Sequence, residues 1–143
     1  MVAKTIRNKY GKVAIEATKH IQKTGEHPRK AWNIFAEEFF GAGTDAAKKD
    51  CPRNAYLGLC EDGLVDGVPQ DNYVSIGNLE KLYAVQAIRI LQKYQTLENN
   101  PKELWKTVMI DTGRNPNKTH NSQMNVVLAL WYEGMIVREQ EHI

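Results

Sequence analysis

Cys51 and the bases around it are the first residues in this chain whose types and spacing could do chemistry. The stretch KKDCPR sets the thiol among Lys48, Lys49 and Arg53, at the expected start of a helix. A helix N-terminus and nearby cations both favour a thiolate, so Cys51 could act as a nucleophile. Against this, Asp50 adjoins it and no histidine is tied to it by a motif, whereas a nucleophilic cysteine needs a base or orienting partner. A thiol-dependent enzyme using Cys51 is therefore the third reading of function. A second group of candidates is split between two loops. Lys48, Lys49 and Arg53 flank one predicted helix start, and Arg114, Lys118 and His120 precede another. Helix N-termini accept anions readily. If the fold brings these loops to one side, they form one basic surface for phosphate or a nucleic-acid backbone; the plainer reading is a solvated rim of loop lysines.

Other chemistries find little support. The carboxylates Glu37-Glu38, Glu61-Asp62 and Glu139 to Glu141 are neighbours in sequence, and adjacent positions on a helix do not face each other. Cys51 and Cys60 would stand roughly 13 Å apart along a helix, beyond disulfide reach. With no CxxC pair and scattered histidines, no zinc site is expected, and no cofactor. HExxH, GxSxG and phosphate-binding glycine loops are absent.

The elements that must position these residues are helical. Tyr10, Val13, Ala14, Ala17 and Ile21 make one apolar stripe at helical spacing after Thr5, a plausible N-cap. Gly25 closes that helix and Pro28 opens the next, where its missing N–H costs nothing. That second helix, PRKAWNIFAEEFF, carries Ala31, Trp32, Ile34, Phe35, Phe39 and Phe40 on a bulky face and stops at Gly41. Thr44 can cap a short turn, and Asp50 or its neighbour caps a third helix that ends at Gly63. The turn-rich DGVPQDNYVSIG connects to a long helix capped by Asn78, with Leu79, Leu82, Tyr83, Gln86, Ala87, Ile90 and Tyr94 as its stripe.

The second half repeats the first. Tyr10 matches Tyr83, Ala14 Ala87, Ile15 Ile88, Gln22 Gln95, Pro28 Pro101 and Trp32 Trp105, all at an offset of 73. Chance would supply roughly one or two such identities. At an offset of 71, NAYLGLCEDGLV (54–65) matches NVVLALWYEGMI (125–136). The second copy thus lacks two residues in the loop before its third helix, where length changes are tolerated. The expected domain is one all-α unit spanning 1–143: repeat 5–65, connector 66–77 and repeat 78–137, with helices near 5–24, 28–40, 51–63, 78–98, 101–112 and 121–134. Gly58 and Ala129 occupy equivalent mid-helix positions, so the two third helices are expected to pack closely there. Asn54 and Asn125 are read as satisfying nearby backbone, and Trp32, Trp105 and Trp131 as core anchors.

A helix, a loop, a helix and then EDGLV or YEGMI resembles the outline of a winged-helix or helix-turn-helix unit. The resemblance implies that the third helix reads the DNA major groove. Such a helix needs a polar, usually basic, face, yet Met124 to Tyr132 carries no charge and Arg53 is the one base from Cys51 to Val65. No wing follows either copy. A helix apolar on all sides belongs in the core.

The totals narrow the class further. The chain has 143 residues, 19 basic against 17 acidic, for a net charge of +2. That is little for a nucleic-acid binder of this size, although a local patch remains open. No apolar run is long enough for a membrane span, and MVAKTIRNKYGK has no signal-peptide core, so a cytoplasmic protein is expected. The leading expectation is a non-catalytic intracellular binding or scaffold module, its partner another protein or a second copy of itself. A nucleic-acid-associated protein with divergent winged-helix-like units comes second.

Overall fold

Caps decide where each helix begins. The computed structural model describes residues 8–120 and 122–138. Helix α1 (Lys9–Thr24) opens on Asn8, whose side chain accepts bonds from the Tyr10 and Gly11 N–H groups, and it closes on Gly25. Helix α2 (Pro28–Phe40) has proline in its first turn. The short α3 (Asp45–Lys48) is capped by the Thr44 hydroxyl, and α4 (Asp50–Glu61) follows directly with Lys49 at its N-cap. Asn78 caps α5 (Leu79–Lys93), Asn100 caps α6 (Pro101–Asp111), and α7 (Gln123–Tyr132) is last. The protein is an all-α compact domain.

Several boundaries differ from expectation, each for a local reason. Thr5 lies outside the described residues, and the described helix starts only at Lys9 because Asn8 takes the capping role. The helix expected over 78–98 ends at Lys93: Tyr94 leaves helical geometry (φ −129, ψ 75), and Gln95–Asn99 winds as a 3-10 turn. The helix expected over 121–134 covers 123–132, preceded by Ser122 with a left-handed backbone (φ 70). On α5 the expected stripe is buried at Tyr83, Ala87 and Ile90, but the buried face is turned toward Ala84, Ile88 and Leu91. Tyr83, Ala84, Ala87, Ile88 and Leu91 are buried, while Leu79, Leu82 and Tyr94 are exposed.

The helices pair across the two halves of the sequence. α5 lies along α4, and α1 lies along α7 as well as α2. α4 and α7 also touch, but the bare side of Gly58 is turned to α5. A Cβ on Gly58 would sit 2.5 Å from Lys81 Cβ and 2.6 Å from Lys81 Cα, so the absent side chain admits the α5 backbone. The expectation that Gly58 serves an α4–α7 approach is corrected on this point. Both helices are otherwise enclosed: Ala55 to Cys60 and Val126 to Trp131 are buried. Neither offers a free face to a DNA groove.

The chain segments after α4 and α7 meet. Val65 and Ile136 form an antiparallel bridge, in which Asp66 N–H donates to the Met135 carbonyl and Val137 N–H to the Leu64 carbonyl, both at 2.8 Å. Val65 and Ile136 stand 71 residues apart. The connector that follows is pinned by Glu61. Its carboxylate accepts from the Tyr73 and Val74 N–H groups (2.7 and 3.1 Å) and from Lys81 Nζ at 2.6 Å. These bonds hold the Glu61 pKa below the usual carboxylate value, with Lys81 the largest cause.

Candidate functional site

The basic residues before α4 and α7 are placed by two loops that lie over equivalent aromatic rings. In the first, Lys48 is exposed and Lys49, half-buried, sets its ammonium 5.8 Å from the Tyr10 ring centroid. The Tyr10 hydroxyl donates to the Ala46 carbonyl at 2.9 Å, tying the loop down. One turn into α4, Arg53 is half-buried and its Nε is buried with no partner. Burial and then Arg29 lower its pKa, while Asp50 opposes them.

The second loop joins α6 to α7. Arg114 places its guanidinium 5.5 Å from the Tyr83 ring and donates to the Thr112 carbonyl at 2.8 Å. Lys118 lies 5.7 Å from the same ring, and its carbonyl accepts from Trp105 Nε1 at 2.6 Å. His120 packs near Trp105 with ring centroids 6.0 Å apart, and its buried Nδ1 has no partner. Burial lowers the His120 pKa first; Lys102, in the first turn of α6, and Lys49 lower it further.

That last pair of causes matters for the site. A cation on one loop acts on a histidine on the other only at short range, so the influence of Lys102 and Lys49 on His120 ties the two loops electrostatically. Among the described residues, Lys48, Lys49, Arg53, Lys102, Arg114 and Lys118 form no ion pair; the bridges present are Lys19–Glu16, Lys30–Glu26, and Lys81 with Glu61 and Asp62. The face is not purely basic, since Asp50 and Glu80 lie near Cys51. Chemically, it can hold an anion through unpaired cations at the entrance to two helices.

Cys51 sits beside this face, but its surroundings do not favour a thiolate. Burial, then Glu80 and Asp50, push the thiol up to about 11, outweighing Lys49. The sequence reading counted the lysines, but Glu80 comes from another helix. Among the described residues no cluster of histidine, cysteine and carboxylate side chains could hold a metal ion. A cleft lined by Asp62, Leu64, Val85, Ile88, Arg89 and Gln92 offers about 30 Å³, room for a water or two but not for a metabolite.

The sequence reading missed Lys102, Arg29 and Tyr83. Lys102 follows Pro101 in a first helical turn, the same signal that singled out the other bases. Tyr83 is a core residue, as its place in the stripe predicts, and it also lies under Arg114 and Lys118. Asn54 and Asn125 are half-buried, with no side-chain hydrogen bond among the described residues. Trp32, Trp105 and Trp131 are core residues; Trp131 also donates to Glu98 at 2.9 Å and lies under Arg138, 3.8 Å away.

The model of a family of unknown function (DUF6979) matches residues 7–137. No curated protein and no solved structure matches the chain.

Proposed function

The chain belongs to this family of unknown function, so its role must be argued from its own geometry, and we propose that it is a non-catalytic binding module for a phosphate-bearing partner. The observation that carries the reading is that Lys49, Arg114 and Lys118 lie over the rings of Tyr10 and Tyr83 and form no ion pair among the described residues. Burial lowers the His120 pKa first and Lys102 and Lys49 lower it further, which supports a shared basic surface. Unpaired bases near helix starts suit phosphate oxygens. The partner meets this surface rather than a groove-reading helix, because α4 and α7 are enclosed.

The same reading takes the chain as two copies of a three-helix unit, residues 5–65 and 78–137 joined by 66–77. The bonds exchanged by residues 64 and 66 with 135 and 137 support it, as do the matched rings of Tyr10 and Tyr83. Duplication would explain why two loops far apart in sequence each set cations over a tyrosine ring. Two free thiols, Cys51 and Cys60, suit a cytoplasmic setting.

The test is fluorescence anisotropy with a labelled DNA duplex of arbitrary sequence. Binding is expected at about 25 mM salt and should weaken steeply by about 200 mM, with a log–log slope near −3 if three or four phosphates are contacted. A duplex that stays free at the lowest salt would overturn the reading.

A further inference from the structure

Tyr10 and Tyr83 are matched positions with opposite fates. Each lies under a loop and at least one cation. The Tyr10 hydroxyl is bonded to the loop above it through the Ala46 carbonyl. Tyr83 is only 1% exposed, and its hydroxyl has no hydrogen-bond partner among the described residues. Buried hydroxyls are nearly always bonded, and leaving one unmet is costly. The difference traces to the loops. The one over Tyr10 contains α3, whereas the one over Tyr83 gives its Lys118 carbonyl to Trp105 instead.

A second orphan lies in the same place. Trp105 meets the Tyr83 ring edge-on at 5.2 Å on one side and the His120 ring at 6.0 Å on another, and His120 Nδ1 is also buried and unpartnered. The Tyr83 ring, then, has the cations Arg114 and Lys118 over it and, beyond the Trp105 indole, a second unmet polar atom. Neither cation has an ion pair among the described residues.

We propose that Tyr83, His120, Arg114 and Lys118 form a discrete subsite for a terminal phosphate group under the α6–α7 loop. The inference rests on the phosphate-binding reading and gives it an address in the second half of the chain. Phosphate fits better than a carboxylate because it presents three acceptor oxygens and about two negative charges to donors arriving from several directions. The Tyr83 hydroxyl and a protonated His120 ring donate, Arg114 and Lys118 supply the balancing charge, and no covalent step is involved. Because the hydroxyl is sealed, the turn carrying Arg114 and Lys118 must lift as the ligand enters. The first half keeps only a structural version of this arrangement, with Ala46 occupying the hydroxyl.

The experiment titrates the full chain with inorganic phosphate at fixed ionic strength, following the His120 ring and backbone amides by NMR. Phosphate should raise the His120 pKa and shift residues 114–120. Tyr83→Phe should weaken phosphate about tenfold, as expected for a hydrogen bond to a charged group, and Tyr10→Phe should leave the affinity unchanged. A duplex bearing a 5′-phosphate should compete with inorganic phosphate, and its 5′-hydroxyl counterpart should not; if both duplexes fail to compete, the subsite takes free phosphate. Equal phosphate affinity in wild type and Tyr83→Phe, or a silent His120, would overturn the subsite and leave the hydroxyl to a buried water. Salt-sensitive duplex binding with no phosphate response refutes the subsite alone. Phosphate binding through Tyr83 without duplex binding supports the subsite and refutes the wider nucleic-acid-sized surface.

Discussion

Replacing Gly58 by Ala sets two known effects against each other, and the structure decides between them. In an unhindered helix the change stabilises by about 1 kcal/mol, because glycine is the poorer helix former. Here the new methyl would lie 2.5 Å from Lys81 Cβ and 2.6 Å from Lys81 Cα. Carbon atoms in contact sit at about 3.5–4.0 Å, so α5 must retreat by roughly 1 Å. A backbone atom cannot rotate away, and the shift also strains the Lys81 bonds to Glu61 and Asp62. Overpacking of this kind costs about 1–3 kcal/mol, more when backbone must move. The net expectation is a loss of about 2 kcal/mol, or a fall in Tm of roughly 5–10 °C for a domain of this size. Thermal and urea unfolding followed by circular dichroism at 222 nm would measure it, with an unchanged m-value showing that only stability moved. A variant as stable as wild type, or more stable, would refute the claim that α4 and α5 touch at Gly58.

Three further outcomes follow from the same contacts. Tyr10→Phe removes a bonded hydroxyl and should cost about 1 kcal/mol, while Tyr83→Phe removes an unmet one and should be neutral or stabilising without phosphate; urea unfolding of the pair separates them. Cys51, its thiol pushed up to about 11, should react with a neutral thiol reagent at pH 7 far more slowly than a free cysteine in a disordered peptide; rapid labelling would contradict the environment described. His120 has a pKa lowered in the fold by burial, Lys102 and Lys49, so below about 6.5 the unfolded chain takes up its proton first. The His120 contribution to stability is therefore held above that pH and lost as the pH falls through it, and His120→Gln should flatten this part of the stability–pH curve.

Much of the helical frame was legible in the sequence because its signals are local. Asn78, Thr44, Pro28 and Pro101 act where capping chemistry places them, and Gly25 and Gly63 end helices with left-handed backbones. What could not be read were facts set by distant partners. Gly58 is small because of Lys81, Glu61 is held by backbone amides of the connector, and Leu79 and Leu82 miss the core because α5 is rotated to bring Ala84 and Leu91 inward. Each depends on which helix packs on which, and periodicity within one helix carries no record of that. The candidate site divides in the same way. The six bases near the starts of α4 and α7 stood out by type and place, but the rings of Tyr10 and Tyr83 beneath Lys49, Arg114 and Lys118 are set by the fold. Glu80, which reverses the expected chemistry of Cys51, and Tyr83, whose hydroxyl has no bond, are significant only through their neighbours.

The central claim is that one face, built from the starts of α4, α6 and α7, binds phosphate-bearing ligands. Amide chemical-shift mapping during titration with a DNA duplex at low salt tests it most directly. The account predicts shifts concentrated at residues 48–53, Lys102 and 114–120 that fade as salt rises toward about 200 mM. An absence of shifts at low salt, or shifts gathered instead around the exposed Leu79 and Leu82, would contradict it.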